Sequence, residues 1–326
     1  MTSPVFPAPR LIKTNGATLS VHMAGPETGP ALVFCHGFPE LGYSWRYQVA
    51  ALGAAGFRTI APDLRGYGGS SPLGSVEDGA IDVHVADMVG LLDALGIDKA
   101  IFVGHDWGGA LVWAMPQAHP ERTAGVIALN TPFVGRGETD FLSIVEQLRG
   151  PTNYMVRFQE REVPDAWLAA NVEKVFRGFM RQCGVTQAEF AAQPAEVQAL
   201  PLGLLVGEPQ LLGAPLMPDV ELSTFIEAYR RTGFFGGLAW YRNIRRNWEI
   251  SAGWPSVNKV AQPSLFIIAA DDYYIPPFMS EGMEDFVPDL ERHTIARCFH
   301  WTQQEHPETV NRLMADWLGR RFPHGW

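Results

Sequence analysis

The sequence predicts an α/β fold with a mostly parallel, doubly wound sheet and a helical segment inserted into it. Short apolar runs that end in glycine or aspartate recur along the first half of the chain. Stretches with apolar residues at helical spacing separate these runs, and the alternation stops near residue 134 and resumes near residue 256. Strands that alternate with helices at this rhythm imply parallel strands joined by helical crossovers.

The predicted strands of the first half begin with an alternating segment, "GATLSVHMAG". Continuous apolar runs follow in "PALVFCHG", "FRTIAPD", "KAIFVGHD" and "TAGVIALNTP", as expected for strands buried on both faces. Helical spacing is found between them in "AIDVHVADMVGLLDALG" and "WGGALVWAMPQAHPE". A glycine stands where the first of these helices needs its C-cap.

After residue 134 the sequence predicts helices with no strand between them. The helical stretches are "DFLSIVEQLRG", "DAWLAANVEKVFRGFMRQ", "VELSTFIEAYRRTG" and "GGLAWYRNIRRNWEI", with a break rich in proline and glycine at 200–218. Strand patterns return in "PSLFIIAADDYY" and "ERHTIARCFH", before a last helix, "HPETVNRLMADWLGRR". We therefore expect a core domain of residues 1–133 and 256–326 and a helical cap of residues 134–255.

Composition excludes several classes of partner. The net charge of -10 argues against a nucleic-acid partner. The sequence has no Lys/Arg tract of the kind that binds an anionic membrane surface. No run of about 18 apolar residues predicts a membrane span. The first residues have no apolar core of signal-peptide length, so we expect a cytoplasmic protein. The oligomeric state stays open, a homo-oligomer included.

The cysteines predict neither a disulfide framework nor a zinc motif. Cys35, Cys183 and Cys298 are odd in number and far apart. Free cysteine packs as a small hydrophobic residue, so we expect buried thiols. We expect no cofactor and no metal.

The stretch "GHDWGG", residues 104–109, has the spacing of a nucleophile elbow between a predicted strand and a predicted helix. Asp106 stands where serine is usual, and the following helix N-terminus favours its negative charge. The alternative is an aspartate that only caps the helix. A carboxylate that attacks an ester or amide gains little, because it forms a reactive anhydride. Attack on a saturated carbon with a leaving group instead forms an ester that water can hydrolyse with a general base and an oxyanion hole.

The candidate base is His300, in a loop between a predicted strand and the last helix. Such loops carry catalytic groups in this type of sheet, and a histidine with a carboxylate partner can deprotonate water. His293 lies inside the strand pattern and His306 opens the last helix, so both are weaker candidates. Asp271 and Asp272 both follow the preceding strand, and their spacing does not separate the two as partners of the histidine.

The candidate oxyanion hole combines two backbone donors. The "HGFP" turn, residues 36–39, follows a predicted strand and can aim the Phe38 N–H at the ester oxygen. The second donor would be the N–H of Trp107, directly after the nucleophile. A plain loop fixed by Pro39 is the alternative interpretation of the turn.

These motifs together identify a family likeness: the chain resembles the epoxide hydrolases of the α/β-hydrolase superfamily. "HGFP" with "GHDWGG" marks only the wider group with an aspartate nucleophile, which includes haloalkane dehalogenases. The resemblance extends over nearly the whole chain, through "HGFPE", "PDLRGYGGS", "GHDWGG", "YMVRFQE", "GFFGGLAWYRN", "AADDYYIPPFMS" and "CFHWTQ".

The resemblance implies an α/β-hydrolase fold and a set of site residues. Tyr154 and Tyr241 of the cap would hydrogen-bond the epoxide oxygen. The acid would be Asp272 rather than Asp271. Some relatives carry the acid after the sixth strand, where this chain has Asn130, which cannot serve as an acid. The cap lacks the glycine of the "EPG" that many relatives have, and Arg157 stands at a position that is often aromatic, so substrate preference is open.

Chemistry also favours the two tyrosines. An opened epoxide leaves an alkoxide, and phenols with a pKa of about 10 can donate to it while protonated at pH 7. A halide needs no proton, and a dehalogenase would want N–H donors such as Trp and Asn, whereas the turn carries Phe38. Buried tyrosines with satisfied hydroxyls are the structural alternative.

We therefore expect a cofactor-free epoxide hydrolase that makes vicinal diols from a small-molecule epoxide, in an apolar pocket between cap and core. The second hypothesis is a haloalkane dehalogenase that uses the same Asp106, His300 and Asp272. The third is a non-catalytic protein of hydrolase fold that binds a small hydrophobic ligand, because fold alone does not prove activity.

Overall fold

The structure is a computed structural model that describes residues 4–203 and 212–326. The strands, in chain order, are β1 (Arg10–Thr14), β2 (Ala17–Ala24), β3 (Ala31–Cys35), β4 (Arg58–Pro62), β5 (Ala100–His105), β6 (Thr123–Leu129), β7 (Arg181–Cys183), β8 (Leu212–Pro215), β9 (Ser264–Ala269) and β10 (Leu290–Ile295).

Eight of these strands form one sheet in the order β1-β2-β4-β3-β5-β6-β9-β10. The pairs β1–β2 and β2–β4 are antiparallel, and every other neighbouring pair is parallel. The mostly parallel α/β fold expected from the sequence is confirmed. The first strand of the sheet, β1, was not predicted.

Helices cover the sheet and fill the segment between β6 and β9. They are α1 (Arg46–Ala54), α2 (Ile81–Ala94), α3 (Trp107–Ala118), α4 (Phe141–Arg149), α5 (Tyr154–Arg157), α6 (Val163–Ala170), α7 (Val172–Phe179), α8 (Gln187–Ala191), α9 (Ala195–Gln198), α10 (Asp219–Thr232), α11 (Phe235–Arg242), α12 (Ile244–Ser251), α13 (Thr302–Glu305) and α14 (Pro307–Arg321). Helices α1 and α14 pack together over one face of the sheet, and α2 and α3 over the other. In the described ranges no helix has both the length and the apolar character needed to cross a membrane.

The inserted segment departs from its prediction in its strands and in the number of its helices. It contains a small antiparallel sheet of β7 and β8, so the expectation that it holds no strand is wrong. Strands of three and four residues are too short for a periodic signal, and their pairing joins positions about 30 residues apart, Arg181 with Pro215. The single helix expected over 165–182 is interrupted at Asn171, between α6 and α7.

The boundaries of the cap remain a prediction. The helix expected over 236–250 is two helices, α11 and α12, because Asn243 separates them. Its amide Nδ2 donates to the carbonyls of Val76 and Ala239. The break expected at 200–218 falls partly on residues 204–211, which lie outside the described residues.

Of the cysteines, Cys35 and Cys298 are buried and Cys183 is half-buried, each as a free thiol.

The turn between β5 and α3 places one residue at the carboxyl end of the sheet. The strand ends at His105, the helix begins at Trp107, and Asp106 between them has φ 53° and ψ −123°. A positive φ is uncommon for a residue with a side chain and is a source of strain. Helix α3 can approach β3 because Gly108 has no Cβ, which would otherwise collide with the Cys35 carbonyl.

Candidate active site

The candidate nucleophile, Asp106, lies on the wall of a cavity of about 470 Å³. Its Oδ1 accepts a hydrogen bond of 2.7 Å from the backbone N–H of Phe38. The turn that carries Phe38 can come this close because Gly37 has no Cβ, which would overlap the carboxylate. The hydroxyl of Thr131 donates to the Asp106 carbonyl at 2.8 Å and fixes the turn from the other side.

The two expected oxyanion donors are placed differently. Phe38 N–H contacts the Asp106 carboxylate, whereas the described residues include no hydrogen bond between that carboxylate and the N–H of Trp107. The indole Nε1 of Trp107 is buried, and its contact with the Tyr241 hydroxyl opposes the rise in the pKa of that phenol. The backbone role of Trp107 in the oxyanion hole stays a prediction.

The candidate base, His300, lies between two carboxylates. Its Nδ1 is 2.9 Å from Oδ2 of Asp272, and its Nε2 is 3.6 Å from Oδ2 of Asp106. His300 and Asp272 are almost completely buried, whereas 12% of the Asp106 side chain is exposed. The three residues come from three separate loops at the carboxyl ends of strands, as the sequence led us to expect.

The pKa of His300 is raised to about 10. Burial alone would lower this pKa, because it disfavours the charged imidazolium, but the negative charges of Asp272 and Asp106 outweigh it. The resting site therefore holds an imidazolium between two carboxylates at neutral pH.

Asp272 is held by four donors. Its Oδ1 accepts from the N–H groups of Tyr274 (2.9 Å) and Ile275 (3.1 Å), and its Oδ2 from His300 and from the side-chain amide of Asn130 (2.7 Å). Burial by itself would raise the pKa of Asp272, but the charge of His300 and these hydrogen bonds lower it.

Asp271 faces the inserted segment instead. Its Oδ1 accepts from the N–H of Gln187 at 3.1 Å, and its Oδ2 lies 3.7 Å from the Cys183 thiol. Within the described residues, Asp272 and not Asp271 contacts His300. The spacing in the sequence did not decide which aspartate is the partner of the histidine, and in the structure the two side chains have different contacts. The catalytic role of Asp272 stays a prediction.

The two cap tyrosines line the same cavity as Asp106. Tyr154 is the first residue of α5, Tyr241 lies near the end of α11, and their ring centroids are 5.8 Å apart. Burial is the main cause that raises the pKa of each phenol well above its usual value, and the charge of Asp106 adds to it. Both hydroxyls are therefore protonated at neutral pH and can act as hydrogen-bond donors.

One side chain joins the two elements that carry the tyrosines. The amide Nε2 of Gln159 donates to the carbonyl of Met155 in α5 and to the carbonyl of Tyr241 in α11, at 3.0 and 2.9 Å. At the other end of α5, the carbonyl of Leu200 accepts from the N–H of Tyr154. These contacts fix the relative position of the two phenols.

Sequence reasoning missed Asn130 as part of the site. Its Nδ2 donates to Asp272 and to the carbonyl of His300, and its Oδ1 accepts from the hydroxyl of Thr302. The residue was considered only as an acid, for which an amide is unsuitable. Its place after β6, opposite the loop of Asp272, was the signal that could have identified it.

A second buried network lies behind the site. Oε2 of Glu40 accepts from the N–H of Gly37 (3.0 Å) and contacts Nδ1 of His105 (2.8 Å), whose Nε2 donates to the His300 carbonyl at 2.6 Å. Burial would raise the pKa of Glu40, but the neighbouring His105 lowers it to about 2. This network links the turn of Phe38 to the loop of His300.

The remaining histidines of interest lie elsewhere. His293 pairs with Glu291 and is 38% exposed, and His306 contacts the carbonyl of Arg297. A group of Cys298, Glu305 and His306 has the spacing to hold a metal ion. The Glu305 carboxylate already accepts hydrogen bonds from two backbone N–H groups, which favours a structural role for these three residues over metal binding.

Comparisons with known proteins define the class. The family described as alpha/beta hydrolase fold matches residues 30–193. Epoxide hydrolase A of Mycobacterium tuberculosis is 38% identical over 323 residues, which cover 96% of this chain and 97% of that protein. The chain therefore belongs to the epoxide hydrolases of the α/β-hydrolase fold.

Other relatives agree with this assignment. The crystal structure of Epoxide Hydrolase A from Mycobacterium thermoresistibile matches with a TM-score of 0.85 and 37% identity, over 96% of this chain and 98% of that one. Bifunctional epoxide hydrolase 2 of Sus scrofa is 38% identical over 91% of this chain. The chain spans 53% of the length of that protein, about half. The resemblance inferred from the sequence motifs is confirmed.

Proposed function

We propose that this chain hydrolyses small-molecule epoxides to vicinal diols through a covalent ester on Asp106. The observation that carries the proposal is the surroundings of one carboxylate. Phe38 N–H binds Oδ1, His300 Nε2 lies 3.6 Å from Oδ2, and two protonated phenols share the cavity. A cytoplasmic location and a homo-oligomeric state stay predictions.

The first step opens the ring. Because Oδ1 is bound by Phe38 N–H, Oδ2 is the oxygen free to attack a ring carbon. A bond forms between Oδ2 and that carbon, and the ring C–O bond breaks with its electron pair on the epoxide oxygen. That oxygen takes a proton from the phenol of Tyr154 or Tyr241. The product is a hydroxyalkyl ester whose carbonyl oxygen is Oδ1.

Ester formation also prepares the base. Once Asp106 is esterified, His300 has lost one of the two negative charges that raise its pKa, and the pKa falls. Its proton can then return, directly or through solvent, to the phenolate left by ring opening. Neutral His300, oriented by Asp272, is the form required of a general base.

The second step hydrolyses the ester. Water attacks Cγ of Asp106 while His300 Nε2 takes one of its protons. The oxyanion forms on Oδ1, already within 2.7 Å of Phe38 N–H, with Trp107 N–H as the expected second donor. The bond between Cγ and the alkyl oxygen then breaks, that oxygen takes the proton from His300, and the diol leaves.

A single turnover in heavy-oxygen water tests the proposal. With enzyme in excess over epoxide, the diol carries its new oxygen from Asp106, and label from water appears in the enzyme. With substrate in excess, later diols carry the solvent label. Solvent label in the first diol would mean direct attack by water and would end the proposal.

Haloalkane dehalogenation is the second candidate function. One observation favours it: the Trp107 side chain lines the cavity that holds Asp106, and an indole N–H can donate to a halide. This activity would release halide and would be insensitive to Tyr241→Phe. A large loss of epoxide turnover in that variant, with no halide released from a panel of haloalkanes, would exclude it.

A further inference from the structure

The cavity beside Asp106 is lined by 29 residues, of which two carry a formal charge at neutral pH. One is Asp106 itself, and the other is Arg136, in the segment between β6 and α4. The other lining side chains are neutral and mostly apolar, and they include Phe133, Phe141 and Trp248.

Arg136 is held in place on several sides. Its guanidinium carbon lies 3.9 Å from the centre of the Trp248 ring, and its Nε donates to the Trp248 carbonyl at 3.0 Å. The Trp248 indole donates in turn to the carbonyl of Gly137. The backbone of Arg136 exchanges two hydrogen bonds with the side chain of Asn258. A guanidinium fixed in this way loses little freedom when it binds a ligand.

The outer nitrogens of Arg136 have no partner in the described ranges 4–203 and 212–326. No carboxylate lies within 4.0 Å of its guanidinium, and neither Nη1 nor Nη2 donates a hydrogen bond there. By contrast, Arg242 of the cap is paired with Asp165 through two nitrogens. The planar fork of an arginine matches the two oxygens of a carboxylate and keeps its charge at any physiological pH.

We propose that Arg136 binds the carboxylate of an epoxy acid whose epoxide lies at Asp106. This proposal rests on the proposed function, because it names the substrate class of the same site. The two charged residues also set the orientation, since a carboxylate beside Asp106 would be repelled. The acid group therefore binds at Arg136, and the apolar chain of the substrate contacts the neutral lining of the cavity.

A carboxylate fits better than a phosphate. One guanidinium offers two parallel N–H donors in a plane, which a carboxylate accepts with both oxygens. A phosphate dianion would gain from a second cation, and no other lysine or arginine is among the described residues that line the cavity.

The test compares epoxy acids with their methyl esters. A series of terminal epoxy acids of increasing chain length, and the matching esters, is assayed for kcat/KM with the whole chain. The wild type should prefer the acid over the ester at one or more chain lengths, and added salt should raise KM for the acid alone.

Arg136→Met retains an unbranched stem over Trp248 and removes the charge. We expect it to lose about tenfold or more in kcat/KM for the preferred acid, and to stay within about twofold for the ester. Arg136→Lys, which retains the charge without the fork, should be intermediate. Arg245→Met is the matched control, because Arg245 pairs with Asp140 and Glu146 and does not line the cavity.

The outcomes separate the two proposals. Equal losses for acid and ester in Arg136→Met, or a wild type that never prefers the acid, would overturn the carboxylate site while ester turnover still supports epoxide hydrolysis. A wild type that hydrolyses neither acids nor esters would overturn both.

Discussion

Asn130 donates its amide N–H to the Asp272 oxygen that contacts His300, at 2.7 Å from the amide nitrogen. It also donates to the His300 carbonyl at 3.1 Å. One amide after β6 thus braces both members of the candidate acid–base pair. Asn130, at the position where the resemblance places the acid of some relatives, therefore contacts Asp272, the predicted acid of this chain.

This contact predicts that the carboxylate partner of His300 can be transferred from position 272 to position 130. Asp272→Asn should lower steady-state epoxide turnover about 10⁴-fold, because the imidazole loses its orienting charge. The double variant Asn130→Asp with Asp272→Asn should recover about 10²-fold of that loss. Steady-state kcat for a neutral epoxide is the measurement. An exchanged pair no more active than Asp272→Asn would contradict the placement.

Much of the sheet was predictable, because buried parallel strands are continuous apolar runs. β3, β4, β5, β6 and β9 were all found in this way. β1, with the exposed pattern "RLIKT", and the short pair β7–β8 carry no such signal, since tertiary pairing rather than local sequence defines them.

The site was predictable where a motif fixes local geometry, as at Asp106 and the turn of Phe38. Asn130 and the pair Glu40 and His105 were missed, because their roles depend on contacts between distant loops. Asp271 and Asp272 are adjacent in the chain, but their side chains contact different parts of the structure, and sequence spacing cannot predict this difference.

The phenols predict a selective effect on ring opening. Tyr154→Phe and Tyr241→Phe should each slow formation of the ester about 10²-fold, and the double variant should lose more. Acid quenching of single-turnover mixtures measures ester and diol separately, and decay of the ester should change little. Tyr67→Phe is the control, since Tyr67 is buried like the two cap tyrosines but does not line the cavity. Equal slowing of both steps would refute the assignment.

The close contact between Gly37 and Asp106 predicts that even a methyl side chain at position 37 lowers activity. A Cβ at this position overlaps the Asp106 carboxylate, so Gly37→Ala should displace either the carboxylate or the Phe38 N–H. We expect kcat to fall about 10²-fold or more. Gly319→Ala, where a Cβ meets nothing within 4 Å, should leave kcat unchanged. Wild-type kcat in Gly37→Ala would disprove the importance of this contact.

The burial of His84 predicts that the folded protein loses stability as the pH falls. Its ring stacks on Trp240 with centroids 4.1 Å apart, and neither ring nitrogen has a partner in the described chain. Burial, with the charge of Arg65, lowers its pKa from 6.5 to about 3. Above about pH 6.5 the histidine is neutral in both states. Below that, the unfolded state takes up a proton that the folded state refuses until about pH 3, so stability falls as the pH falls.

His84→Phe should remove this part of the acid sensitivity. The wild type should lose up to ~1.4 kcal/mol per pH unit, relative to the variant, as the pH falls through this window. Urea unfolding at several pH values measures the difference. His324→Phe, at an exposed position, should behave like the wild type. Parallel pH profiles for wild type and His84→Phe would contradict the prediction.

Trapping the ester by mass tests the covalent role of Asp106 most directly. His300→Gln retains Asp106 and the phenols but lacks the base, so ring opening should proceed and hydrolysis should stall. After mixing with a neutral epoxide, the intact protein should gain the mass of one epoxide, and peptide mapping should locate it on Asp106. An unmodified protein, or an adduct on any other residue, would contradict the account.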